Sequence, residues 1–238
     1  MLSPSAYVDT FCRDRLPPQD QWPEFLYDLP QLRYPERLNC AAELLDVTAA
    51  REGEDRPCLR SPTQTWTYGE TVRRTNQLAR VLTEDFGLRP GNRVLLRGPN
   101  NPQLAAAWLA VIKAGGVAVT TMALQRPREI ATIVGLTEPS LAICDRRFAE
   151  DLAAGAPALT ALVYGPGGPD DPGDPDGLTA RCAAKDGTFQ PVATAADVDA
   201  SMATSSAAVA TGWNVPSLTA QRAVRSSGSP GSPGSPGP

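Results

Sequence analysis

The sequence predicts an α/β fold, an open and mostly parallel sheet with helices laid on its faces. Two observations carry that reading. Residues Gly91 to Thr121 read as strand, turn, buried helix, tight turn and strand, and such a unit of ~30 residues is the building block of a parallel sheet with a right-handed crossover. The same alternation of short apolar runs and helical stripes then continues as far as Tyr164, which is how a sheet of this class is extended.

Taken in order, residues 1–38 form a polar, proline-punctuated arm with Phe11, Trp22, Phe25, Tyr27 and Tyr34 interleaved. Its aromatics are expected to pack on the body, with one short helix over Ala6 to Arg15. Asn39 can cap the next helix, whose stripe is Ala41, Leu44, Leu45 and Thr48, and Glu52 to Pro57 breaks it. Cys58–Arg60 and Thr65–Thr67 read as two short strands joined by a turn over Ser61–Gln64. Thr67 and Glu70 then spell a capping box, in which each side chain satisfies the other's backbone N–H. The helix that follows carries Val72, Thr75, Leu78, Ala79 and Leu82 on one face and Arg73, Arg74, Gln77 and Arg80 on the other. Gly87 ends it.

In the central unit Val94, Leu95 and Leu96 are a strand closed by the turn residues Gly98, Pro99, Asn100 and Asn101. Leu104 to Ile112 is an unbroken run of nine apolar residues, which suits a helix covered on all sides. Asn101 can cap it, with Pro102 at the first helical position, where a missing N–H costs nothing. Gly115 and Gly116 stop it, and the β-branched Val117, Val119, Thr120 and Thr121 follow as a strand. Pro127–Leu136 is a helix with Ile130, Ile133 and Val134 inward, Leu141–Cys144 a strand, Phe148–Ala154 a short helix and Leu159–Tyr164 another strand. The expected division is therefore an arm (1–38), an α/β body (39–164), a Gly/Pro/Asp loop with a partly ordered stretch (165–198), and a low-complexity, disordered tail (199–238) whose last thirteen residues are Ser, Gly and Pro alone.

Composition removes several functions. The net charge is −4, with no cluster of Lys or Arg, which argues against a nucleic-acid partner. No apolar run is long enough for a membrane span, and the first residues show no signal peptide, so a cytoplasmic chain with no membrane partner is expected. Five scattered cysteines without a C-x-x-C pair fit reduced thiols rather than a disulfide framework or a zinc site. The chain has no histidine, so Ser–His or Cys–His catalysis and imidazole metal sites are not open to it.

Each candidate site has a plain alternative. The glycine-rich GPGGPDDPGDPDG at 165–177 lacks the Lys, Ser/Thr and following helix of a phosphate cradle. Its Asp170, Asp171, Asp174 and Asp176 do not have calcium-loop spacing; a solvated acidic loop is the reading. Gly98–Asn101 follows a strand and opens a helix, where α/β sheets commonly bind ligands, but a turn and a helix cap explain each residue; a supporting role at a pocket edge is the second reading. Lys113 ends the buried helix, where its charge complements the dipole. Cys144 reads as a buried, inert thiol. Arg146 and Arg147 could reach an anion, and a solvated helix start is the default. The residues build a scaffold; no catalytic, cofactor-binding or metal-binding residue is assigned.

The order of short motifs resembles a known family. Trp66-Thr67-Tyr68-Gly69-Glu70, Gly91-Asn92-Arg93-Val94, Asn100 and Lys113-Ala114-Gly115-Gly116-Val117 resemble the opening third of the adenylate-forming acyl- and aryl-CoA synthetases. Leu16-Pro17-Pro18, Trp22-Pro23, Leu29-Pro30, Leu32–Pro35, Leu38-Asn39, Leu95–Asn101 and Val119–Met122 are similar to the 2-aminobenzoate-CoA and benzoate-CoA ligase branch. The resemblance covers Ala6 to Asp151 and fades through Val198. It implies the amino-terminal part of that family's large domain, a mixed, mostly parallel sheet with flanking helices. It also implies the family's reaction: ATP and an aromatic carboxylate give an acyl-adenylate and pyrophosphate, and CoA then displaces AMP. Mg²⁺ would neutralise the triphosphate.

The resemblance stops short of the chemistry. The family's Ser/Thr/Gly-rich phosphate loop ending in Pro-Lys is expected near Val198, where this sequence reads DASMATSSAAVATGWNVPSLTAQ. The later adenine, ribose and catalytic-lysine elements find no counterpart, so no cofactor is held by this chain on that reading. The expectation is an incomplete sheet, inactive alone, as from a frameshift or misread gene end. The alternative is a non-catalytic interaction module using its exposed sheet face and proline-rich tail.

Overall fold

The computed structural model of the chain describes residues 5–21, 35–165 and 177–195. The aromatics Trp22, Phe25, Tyr27 and Tyr34, the aspartates of 165–177 and the tail 199–238 lie outside these. In chain order the elements are α1 (Phe11–Asp14), β1 (Arg37–Leu38), α2 (Val47–Glu52), β2 (Pro57–Arg60), β3 (Thr65–Thr67), α3 (Tyr68–Arg80), β4 (Arg93–Arg97), α4 (Pro102–Lys113), β5 (Val117–Thr121), α5 (Pro127–Thr137), β6 (Leu141–Asp145), α6 (Ala149–Gly155), β7 (Ala161–Tyr164), α7 (Leu178–Ala183) and β8 (Thr194–Ala195).

Four of these strands make one parallel sheet in the order β5-β4-β6-β7. Leu95 pairs in register with Val119 on one side and with Ala142 on the other, and Ile143 with Leu162. The side-chain period of two sorts the strands into two cores. Val94, Leu96, Leu141 and Ile143 face α3, α4 and α7 with Leu78, Leu82, Ala107, Val111 and Leu178. Leu95, Ala142 and Cys144 face α5 and α6 with Ile130, Leu152 and Ala156. All five residues of β4 and of β6 are buried, as expected of parallel strands covered on both faces. Each fully buried Leu or Ile contributes ~1.5–3 kcal/mol relative to exposure. The result is the α/β fold the sequence predicts.

Local signals hold where they are short-range. Asn101 Oδ1 accepts from Leu104 N at 2.8 Å, with Pro102 at the start of α4. Thr67 and Glu70 close the capping box at 3.2 and 3.0 Å. Gly87 and Gly115 take φ of +63° and +75°, values that favour glycine where the chain leaves a helix. β2 and β3 pair antiparallel around the turn over 61–64.

Two expectations on helix faces are corrected. The helix after Asn39 begins with a wide π turn, Ala42–Asp46; the inserted turn shifts its phase, so Ala41, Leu45 and Ala49 are buried while Leu44 and Val47 are exposed. Gln77, placed by periodicity on the outer face of α3, is buried. The chain 177–195 lies over it, and Gln77 donates to Lys185 O at 3.1 Å while neighbouring Asn76 donates to Gly187 O at 2.8 Å.

The arm docks at the amino end of the sheet. Val8 N and Asp9 N both donate to Pro90 O at 3.0 Å. Asp9 accepts from Arg93 and, at 2.8 Å, from Asn92. The Arg93 guanidinium lies 4.0 Å from the Phe11 ring centroid and donates to Thr137 O and Glu138 O at 2.9 and 2.8 Å. The arm passes so close that a Cβ on Gly91 would sit 2.1 Å from Asp9 O. Ala6 N donates to Thr194 Oγ1 at 3.0 Å, and β8 pairs antiparallel with β1. Within the arm the helix is a single turn, α1, rather than a span from Ala6 to Arg15. Among the described residues no helix is long and apolar enough to cross a membrane.

Candidate functional site

The strand order fixes where a ligand can lie. From β4 the chain moves outward to β5 and then returns across β4 to β6. At such a switch point the loops leaving the two adjacent strands diverge, opening a crevice at their carboxyl ends. The loop Gly98–Asn101 leaves β4 and the run Asp145–Arg147 leaves β6, so the two parts of the sequence come together here. A groove of about 960 Å³ opens beside them, between α3, α4, α7 and the ends of β6 and β7, a size that holds a small molecule.

Asn100 and Asn101 line this groove with Asp145, Arg147 and Tyr164; Trp66, Arg73 and Arg74 form the opposite wall. Asp145 is 3% exposed. Its Oδ1 accepts from Arg147 N and Nε at 3.0 and 2.9 Å, and Oδ2 accepts from Nη2 at 2.9 Å. Burial raises its carboxyl, but the bonds from Arg147 outweigh that and hold it below its ordinary value. Arg74 stacks over Trp66 at 4.4 Å. Tyr164 is 5% exposed, and burial, with the Asp145 carboxylate adding and Asn101 opposing, raises its phenol above the ordinary value. The hydroxyl therefore stays protonated, and it has no hydrogen-bond partner among the described residues.

Behind the groove two buried cations brace the scaffold. Arg97, fully buried, donates to Met122 O at 3.0 Å, Gln125 O at 2.6 Å and Phe148 O at 3.3 Å, tying the loops after β5 and β6 to the end of β4. Lys113, also fully buried, donates to Asp46 Oδ1 and Asn76 Oδ1, each at 2.7 Å. Burial lowers its ammonium and Asp46 opposes this. Lys113 thus bonds side chains of two other helical segments and does not reach the groove. Cys144 is fully buried, and burial pushes its thiol up to about 12. Arg146 is half-buried beside Arg147. None of the five cysteines forms a disulfide.

Chemically the arrangement can bind and orient. Its carboxylate is tied up by an arginine, its phenol is held as a donor, and the described residues contain no cluster that could hold a metal. Sequence reasoning named Asn100, Asn101 and Arg147 but passed over Asp145 and Tyr164. Both are the last residues of their strands, and that position was the available signal.

The family model for AMP-binding enzymes matches residues 45–209. Among curated proteins the chain is 30% identical over 103 residues to the long-chain-fatty-acid–CoA ligase of Salmonella typhimurium, covering 43% of this chain and 18% of that protein. It is 40% identical over 77 residues to surfactin synthase subunit 1 of Bacillus subtilis, covering 32% of this chain and 2% of that one. Among solved structures it is similar to an anthranilate CoA ligase in complex with anthranoyl-AMP, with a TM-score of 0.57 at 19% identity, covering 67% of this chain and 30% of that one. A benzoate CoA ligase from Burkholderia xenovorans gives 0.54 at 22%, again covering 67% and 30%. The chain thus spans less than a third of the length of each of these proteins, and the fold matches the large domain of adenylate-forming enzymes.

Proposed function

The chain belongs to the AMP-binding enzyme family, and from that premise we propose that it supplies the amino-terminal α/β part of an aryl-CoA ligase. The parent reaction is the activation of a small aromatic carboxylate by ATP and Mg²⁺ to an acyl-adenylate, followed by transfer of the acyl group to CoA. The observation that carries this reading is the ordered set of motifs from Trp66 to Met122, lying inside the matched segment and forming β3 through β5 in one continuous body. The likeness to folds of an anthranilate and a benzoate CoA ligase supports the aromatic branch.

On this reading the residues present act as scaffold. Arg97 and Lys113 brace the sheet, and the groove presents donors but no free base. A phosphate-cradling loop and a catalytic lysine have no counterpart in the sequence given, so this chain alone is inactive. Acid-dependent ATP–pyrophosphate exchange tests that: the pure chain with benzoate or 2-aminobenzoate should exchange no label above a no-acid control, and exchange above it would overturn the inactivity. The ligase reading is tested separately by translating the gene beyond the codon for Pro191 in all three frames. A Ser/Thr/Gly-rich loop ending in Pro-Lys in another frame is expected; its absence from every frame would count against descent from an intact ligase.

A further inference from the structure

We propose that the start of α4 and the end of β7 form a subsite for a compact oxyanion, a carboxylate or a phosphate, held by the Tyr164 hydroxyl and the Asn101 amide. The inference stands apart from the ligase reading, because it rests on the groove alone.

Tyr164 is 5% exposed, lines the groove, and its hydroxyl has no hydrogen-bond partner among the described residues. A buried polar group left unpaired costs ~1–3 kcal/mol, so a donor in this position is made good only by a group that enters the groove. The hydroxyl lies directly over Gly98, where a Cβ would come within 2.4 Å of it; any side chain there would fill the space. The acceptor it needs is not supplied from within. Both oxygens of Asp145 accept from Arg147, and neither accepts from the hydroxyl. Asn101 Oδ1 accepts from Leu104 N, and the amide NH₂ of the same side chain is a second donor.

Charge selects an anion over a neutral acceptor. Among the described residues, the ionisable Asp, Arg, Lys and Glu side chains lining the groove are Arg73, Arg74 and Arg147 against Asp145. α4 adds the positive end of a twelve-residue helix dipole, pointing at the same spot.

The test is a titration of the full chain with inorganic phosphate and, separately, benzoate, following backbone amide shifts in the first turn of α4 and at Gly165. At least one of the two should shift them saturably. Shifts with phosphate only would identify a phosphoryl subsite, and shifts with benzoate only a carboxylate subsite. Tyr164→Phe, which removes nothing but the unpaired hydroxyl, should weaken that binding at least tenfold and leave Tm unchanged or raised. Arg147→Gln, with the hydroxyl intact, should weaken it as well. Shifts from neither anion, undiminished affinity in Tyr164→Phe, or a fall in Tm showing that the hydroxyl is paired inside the protein would each overturn the proposal. None of these outcomes bears on the ligase reading, which the reading frames decide.

Discussion

The two ends of β4 are built to opposite ends. At the amino end Arg93 is paired on every side: the Asp9 carboxylate, the carbonyls of Gly91, Thr137 and Glu138, and the Phe11 ring. At the carboxyl end Arg97 is equally well bonded, but the loops it fixes stop short of closing over the other face. There the Tyr164 hydroxyl has no partner among the described residues and lies beside an open groove. One end of the strand spends its polar groups on holding the chain together, the other keeps some free for a visitor. In parallel α/β sheets the carboxyl end is where ligands are met, and this chain shows the division within a strand of five residues.

The sharpest way to break the comparison is Arg97→Met. It removes the donor that ties the carbonyls of Met122, Gln125 and Phe148 to the end of β4, and removing one partner of a buried charged network costs about 3 kcal/mol or more. Urea denaturation should show that loss with an unchanged slope, whereas a cost below about 1 kcal/mol would mean the carboxyl end does not depend on it. Next comes Gly98→Ala. The new Cβ would meet Tyr164 Oη at 2.4 Å, so overpacking should cost about 1–3 kcal/mol. Part of it should return in the double variant with Tyr164→Phe, since that removes the clashing atom; additive costs would show the clash lies elsewhere.

A smaller effect is expected at the amino end. Asp9→Asn keeps the shape of the clamp and loses its charge, which should cost about 1 kcal/mol at this partly exposed site. Hydrogen exchange at the Val8 and Asp9 amides should speed up while that of β4 stays protected. The pH dependence has a defined sign. Burial raises the Asp9 carboxyl, but bonds from Phe11 N–H, Arg93 and Asn92 outweigh it and leave it below 3.8. The clamp is therefore fully present above that value and is lost as pH falls below it. The smallest effect is at Cys144. Its thiol, pushed up to about 12 and fully buried, should resist a thiol reagent at pH 8 in the native chain and react on unfolding.

What was legible in the sequence follows the same division. The unit from β4 to β5 could be read almost residue by residue, because Asn101, Pro102 and the Gly115–Gly116 stop act on their immediate neighbours. The capping box at Thr67 was equally plain. Features that depend on distant partners were not. Nothing near Gln77 announces that residues 177–195 will cover it, and nothing near Asp9 names Arg93 or Pro90. The π turn at Ala42–Asp46 changes the phase of a stripe that otherwise looks ordinary. In the groove, Asn101 and Arg147 could be named as residues at the ends of strands, but their meeting depends on β6 lying beside β4. Tyr164, counted only as a strand end, gained a meaning when its hydroxyl was found above Gly98.

The bond from Ala6 to Thr194 carries a consequence for how the chain is made. The arm leaves the ribosome before the sheet does, yet the residue that receives it is encoded 188 positions later. At ~5–20 residues per second, that is a wait of roughly ten to forty seconds. During that time Asp9 and Arg93 can meet as soon as β4 has emerged, so the arm is moored at its middle well before its start has anything to hold. Closure of β1 on β8 therefore comes after the mooring of the arm, delayed by position in the chain alone.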